Sequence, residues 1–343
     1  MDDRLRSAAR RIIRDSALVG KDETVLIIHG MHNRDFAGLL AEETMRIGAF
    51  PLVWSFDDSL ISDFPERPPK GLEAIIKRAD VVVWLSQYTA VDNLPEKVRR
   101  RVFSFWDAVY SLLQEEKVPT LLVNLPSPMW LEENGIDPDE YLCEFASAVS
   151  VDYAQMRQLG IKLMGWLSGA KEVLITDGNG TRLRFSIEGR EPGLEDGTLR
   201  DCRLERRECE VEIPAGEVYI APVESSAFGR LVLPHDGLEL EFRAGRVVSV
   251  SGKRASELRD RLKTPGGNVI AEFGIGLNPG VRPLSLRIFD EKALGTVHVA
   301  VGHNLHLGGA NESEIHIDFI LLEPTVLVDG KMLMERGVIK EQE

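Results

Sequence analysis

Cysteine is scarce in this chain. Cys143, Cys202 and Cys209 are the only three in 343 residues, and none forms a Cys-x-x-Cys pair. That argues against a cysteine zinc site and for a reduced, cytoplasmic setting. Basic residues are also in the minority: 41 Lys and Arg stand against 55 Asp and Glu, a net charge of −14. Nucleic acid and anionic membranes require Lys/Arg surfaces, so neither is expected as a partner. There is no apolar run near the roughly 18 residues that a membrane span needs. The N-terminal stretch MDDRLRSAARRIIRD is a charged amphipathic pattern, read as a helix and not as an export signal. No GxGxxG follows the first β-rich run, which argues against a nicotinamide or flavin cofactor.

The chain is long enough for two domains, and its texture changes once. In the first half, β-branched runs alternate with helical patterns. Val25–Ile28, Leu52–Trp54, Val81–Leu85 and Thr120–Val123 read as buried parallel strands, with helical periodicity over Phe36–Ile47 and Pro95–Glu116 between them. This pattern predicts an α/β domain, a parallel sheet with flanking helices, over residues 1–168. Residues 127–138 read as a loop with one short turn, and 139–168 as one long helix. The first strand runs into His29 and His32, at the strand end where such sheets hold ligands. They are read first as ordinary loop histidines, with a ligand role as the lesser reading. From Lys171 onward, short strand-like segments are joined by Gly turns, as in VLIT-DGNG-TRLRFSI and LELEF-RAG-RVVSVSG. Residues 169–343 therefore read as an α+β domain with mainly antiparallel strands.

Histidine is uncommon too, yet its distribution is uneven. Of seven in the chain, four (His298, His303, His306 and His316) fall between Asp290 and Phe319. On a strand, side chains two apart share a face. His316 and Asp318 would then present an imidazole and a carboxylate together, a pair suited to a divalent cation. Two glutamates stand in strand-like apolar surroundings: Glu217 in PAGEVYIAP and Glu272 in AEFGIGLNPG. A carboxylate buried on a strand is costly unless it is paired or bound to metal. Glu217, Glu272, His298, His316 and Asp318 thus form a candidate set for two divalent ions with a bridging carboxylate, and a hydrolase would follow. Spacing alone supports this only weakly, because the five residues do not form a short local motif.

The blocks GEVYIAP, AEFGIGLNPG, DEKALGTVHVAVGHN and NESEIHIDF, in this order, resemble the signature blocks of the thermophilic-type metallo-aminopeptidases, the aminopeptidase T and aminopeptidase S group. The resemblance implies a two-domain subunit, a centre of two Zn, Co or Mn ions, a cytoplasmic homodimer, and release of N-terminal residues from small peptides. Carried over block by block, it makes Glu217, Glu272, His298, His316 and Asp318 the metal ligands. Glu291, His303 and Glu312 remain as candidates for proton transfer or substrate contact. One departure matters: the group carries a Tyr seven residues after the first of these histidines, where this chain has Leu305. The chain also reads as shorter than typical members. Two rival readings follow. One is a mononuclear Fe(II) ring-cleaving dioxygenase, related to dihydroxypyridine dioxygenases and using two histidines and a carboxylate. The other is a non-catalytic relative that keeps its metal for structure.

Overall fold

The computed structural model describes residues 3–56, 67–85, 95–205, 210–283 and 287–340. Cys209 lies outside them. The chain divides into two compact units, residues 1–153 with 197–215, and residues 154–196 with 216–343.

The first unit is built on a five-stranded sheet in which every pairing is parallel. Its order is Phe50–Phe56, Thr24–Gly30, Val81–Leu85, Thr120–Val123 and Glu210–Ile213. The expected parallel α/β architecture is therefore present. Val81–Leu85 is buried at every position, as an apolar run covered on both faces requires. The Glu210–Ile213 strand was not expected here. It comes from the stretch assigned by sequence to the C-terminal half, and it pairs with Thr120–Val123. At four residues, EVEI carries too little pattern to reveal which sheet it joins.

Two local readings also change. Residues 127–138 contain a true helix, Pro128–Glu133, whose first turn is capped by the Ser127 hydroxyl accepting from the Trp130 amide. The long helix read over 139–168 is two helices, Pro138–Val149 and Tyr153–Leu167. The break falls where the Ser150 hydroxyl donates to the Ala146 carbonyl at 2.6 Å. Hydroxyls that bond backward in this way compete with helix continuation. The partition into units differs from a single boundary at 168/169, because the Tyr153–Leu167 helix belongs almost wholly to the second unit and residues 197–215 return to the first.

The second unit holds two antiparallel sheets, as expected for the C-terminal half. An eight-stranded sheet includes the hairpins Glu172–Thr176/Arg182–Ser186 and Leu238–Arg243/Arg246–Gly252. A five-stranded sheet has the order His316–Leu321, Val297–Gly302, Ile270–Gly276, Glu217–Ile220 and Gly193–Glu195. The rings of Phe185 from the larger sheet and Phe273 from the smaller lie 5.4 Å apart, where the two sheets meet. Ile270–Gly276 and Val297–Gly302 are buried throughout.

Candidate metal centre

The smaller sheet sorts its side chains by period two. On one face, Phe273 and Ile275, then Val297, Val299 and Val301, then Ile317, Phe319 and Leu321 form apolar core. On the other face, every central position is either a candidate ligand or a very small residue. Ile270–Gly276 supplies Glu272, Gly274 and Gly276; Val297–Gly302 supplies His298, Ala300 and Gly302. The register places Gly274 opposite His298, Ala300 opposite both Glu272 and Asp318, Gly302 opposite His316, and Gly276 opposite Glu217. Each long polar side chain can thus lie across a position that has no bulk. Gly274 is the clearest case, since a Cβ there would overlap the His298 imidazole.

All five predicted ligands meet on this face. Two groups of three have ligand atoms mutually within 4.8 Å: Glu217, Glu272 and His298, and Glu272, His316 and Asp318. His298 Nε2 lies 3.4 Å from Glu217 Oε2 and 3.4 Å from Glu272 Oε1. His316 Nε2 lies 3.1 Å from Glu272 Oε2 and 3.3 Å from Asp318 Oδ1. Glu272 therefore turns one oxygen to each group. The first group is buried; in the second, His316 and Asp318 are partly open to solvent.

The second group is also held from behind. His316 Nδ1 lies 2.7 Å from the His303 carbonyl, which can only accept, so Nδ1 carries the proton and Nε2 faces the carboxylates as a potential ligand atom. His303 itself is not in either group. Its ring stacks on His306 at 5.4 Å, and His306 meets His316 edge-on at 5.9 Å. Leu305, where the family pattern would put a Tyr, is 46% exposed in a short turn, Leu305–Leu307. Glu312 is exposed and joins neither group.

The electrostatics follow from carboxylates and imidazoles packed together with little water. Burial works against charge on both histidines. For His298 it is outweighed by the Glu272 hydrogen bond and the charges of Glu217, Glu272 and Glu291, which raise its pKa to about 10. For His316 it is outweighed by Asp318 and Glu272, giving about 11. Burial would raise Glu272, but hydrogen bonds from the two imidazoles hold it far below the usual carboxylate range. Glu291 goes the other way. Burial, with Asp318 and Glu217 nearby, pushes it up to about 8 against the pull of Lys292. Tyr219, on the ligand face beside Glu217, is pushed up to about 12 by burial and by Glu195, Glu217 and Glu272.

Two neighbours were missed from sequence. Lys292 is 2% exposed, and its Nζ lies 2.6 Å from Glu217 Oε1, 2.8 Å from Glu195 Oε2 and 3.2 Å from Glu291 Oε1. Glu195 sits directly opposite Glu217 in the register of the edge strand Gly193–Glu195. A Lys inside DEKALG, beside Glu291, was the available signal; nothing local marks Glu195.

The residues fit divalent ions. Glu217 Oε2 is buried and accepts no hydrogen bond, with the His298 ring 3.4 Å away; a divalent ion there would give it the direct partner that hydrogen bonding does not. The donor set of carboxylate oxygens and imidazole nitrogens suits Zn, Mn or Co. His29 and His32 have no part in these groups. His29 is buried, and its Nδ1 donates to the Gly30 carbonyl at 2.8 Å.

A model of thermophilic metalloproteases (M29) matches residues 153–338. No functionally curated protein matches the sequence. Among solved structures, AmpT from Thermus thermophilus is similar at 21% identity, with a TM-score of 0.75 over 98% of this chain and 99% of that one. A 2,5-dihydroxypyridine dioxygenase from Pseudomonas putida KT2440 is similar at 17% identity, with a TM-score of 0.68 over 99% of this chain and 97% of that one. At these identities the two neighbours share the fold.

Proposed function

This chain belongs to the thermophilic metalloprotease (M29) family and is a metallopeptidase, and from that premise we propose that it releases N-terminal residues from small peptides at a centre of two divalent ions. The observation that carries the proposal is the sharing of Glu272 between two ligand groups, one oxygen turned to each. Glu217, Glu272 and His298 would hold one ion, and Glu272, His316 and Asp318 the other. Zn, Co or Mn in these positions would lower the pKa of a shared water and polarise a substrate carbonyl.

The protein's own groups supply the rest. The His303 carbonyl fixes the His316 ring so that Nε2 points inward. Glu291 is proposed to move the proton: it is buried beside Glu217 and Asp318, which with burial hold its pKa above the usual carboxylate range, and it would take a proton from the attacking water and return it to the departing amine. His303 is assigned to positioning through its backbone carbonyl. The open side of the centre, at His316 and Asp318, is where the peptide would enter. Its free amino group would suit the carboxylate-rich surroundings. Homodimerisation and a cytoplasmic setting are part of the proposal through the family resemblance, and sedimentation velocity tests the first. Among the described residues no helix is long and apolar enough to cross a membrane.

The dioxygenase reading has Leu305 and a fold neighbour in its favour. Against it, each ligand group contains one histidine and two carboxylates, whereas the Fe(II) triad expected from sequence needs two histidines. Metal content per chain, measured together with turnover, separates the two. Two Zn, Co or Mn ions with hydrolysis of aminoacyl anilides support the peptidase. One iron with dioxygen uptake overturns it.

A further inference from the structure

Glu195 and Glu217 face each other across adjacent strands, a register position where like charges repel. Lys292 answers both. Its buried ammonium reaches Glu195 Oε2 at 2.8 Å and Glu217 Oε1 at 2.6 Å, with Glu291 Oε1 at 3.2 Å. Glu217 is thereby left with one oxygen, Oε2, for a metal, and its charge is already partly neutralised. Among the described residues, no cation other than His316 lies within salt-bridge distance of Asp318, and Glu272 is paired with His298 and His316. The two positions therefore differ in three ways. The inner one, at Glu217, Glu272 and His298, is buried, has an ammonium bound to one of its ligands, and requires an ion to shed its water. The outer one, at Glu272, His316 and Asp318, is half-open, and neither of its carboxylates is bound by an ammonium among the described residues.

We propose that Lys292 makes the two positions unequal, so that the outer one fills first and the inner one only at higher metal concentration. The inference rests on the dimetal reading and deepens it. Lys292 acts as a positioning residue: it holds Glu217 in place before any metal arrives, and weakens that carboxylate's grip on the incoming ion. Activity would then respond to free metal through the second, weaker step, with the protein already holding one ion.

The test is a calorimetric titration of the metal-depleted full-length protein with Co2+, with the cobalt absorption spectrum followed in parallel. Wild type should show two steps of one ion each, separated by about tenfold or more in affinity, the scale expected of one added charge at this distance in partly screened surroundings. H298A should abolish the weaker step and keep the tighter one; H316A should abolish the tighter one. K292M should tighten the weaker step by about tenfold. Because K292M leaves Glu195 and Glu217 facing each other uncompensated, it should melt earlier without metal and recover on adding it. Two equal steps in wild type, or H298A losing the tighter step, would overturn the proposal while leaving a dimetal centre intact. A total of one ion per chain would overturn the dimetal reading itself. If K292M does not fold, the H298A and H316A titrations decide the order alone.

Discussion

His29 and His298 are both buried histidines on buried strands, and among the described residues only His298 lies against carboxylates. His29 ends the first strand of a parallel sheet, at the edge where such sheets hold ligands, and its neighbour in the register is Ser55. Its ring hydrogen-bonds the main chain of the next residue. His298 is the second residue of its strand, Val297–Gly302, in an antiparallel sheet, opposite a glycine, with Glu217 and Glu272 each 3.4 Å from Nε2. Strand position, the cue that drew attention to His29, is thus less informative than what the register lays across the ring. A histidine becomes a metal candidate when neighbouring strands supply carboxylates and leave room for them.

That contrast can be broken at several points, the most damaging first. His316→Ala should lower metal affinity by more than about 100-fold and abolish hydrolysis, since it removes a ligand and not merely its support; elemental analysis after dialysis reads this, and unchanged metal content would sink the whole site assignment. Glu291→Gln should keep the metal and lower kcat by about 10² to 10⁴, the usual range for losing a general acid–base group. Equal kcat at equal metal content would remove Glu291 from the mechanism. Gly274→Val should displace the His298 ring, cost one ion per chain and destabilise by about 1–3 kcal/mol, as overpacking does; a thermal melt with metal analysis checks both.

Acidity gives a graded test of the same cluster. Without metal, His298 and His316 keep their protons up to about pH 10 and about pH 11. A metal must displace those protons, so its apparent affinity should rise with pH, by up to about tenfold per pH unit for each proton released. The metal-free fold should respond in the opposite sense. Raised histidine pKa values stabilise it fully below the ordinary value of 6.5, and that contribution is lost as pH climbs through 10 to 11. Metal affinity that is flat between pH 6 and 9 would show that these protons are not in the ligand positions. The smallest effect belongs to the first sheet: His29→Ala should leave metal content and turnover unchanged and cost about 1 kcal/mol of stability, the scale of one hydrogen bond.

Much of this was legible in the sequence, for reasons that differ by element. The parallel strands of the first unit announce themselves by β-branched runs. The ligand strands do so by alternation: E-x-G-x-G in AEFGIG and H-x-A-x-G in HVAVG place large polar and very small residues on one face. Lys292 and Glu195 were not legible as neighbours, because the tertiary fold brings a turn residue to an edge strand across almost a hundred residues of chain. The Glu210–Ile213 strand was hidden for a similar reason. Which sheet a four-residue strand joins depends on chain crossings that a local pattern does not record.

The bare main chain beneath the ligands has a consequence for how such a site can change. Gly274, Gly276, Ala300 and Gly302 form a floor with almost no side chains to exchange. A mutation there adds bulk against an imidazole or a neighbouring carbonyl, so the floor tolerates few alternatives. Variation in what the enzyme accepts must therefore come from the rim, around Leu305 and His306, where side chains are exposed and replaceable. Descendants of this sheet would be expected to keep its floor and diversify at that turn.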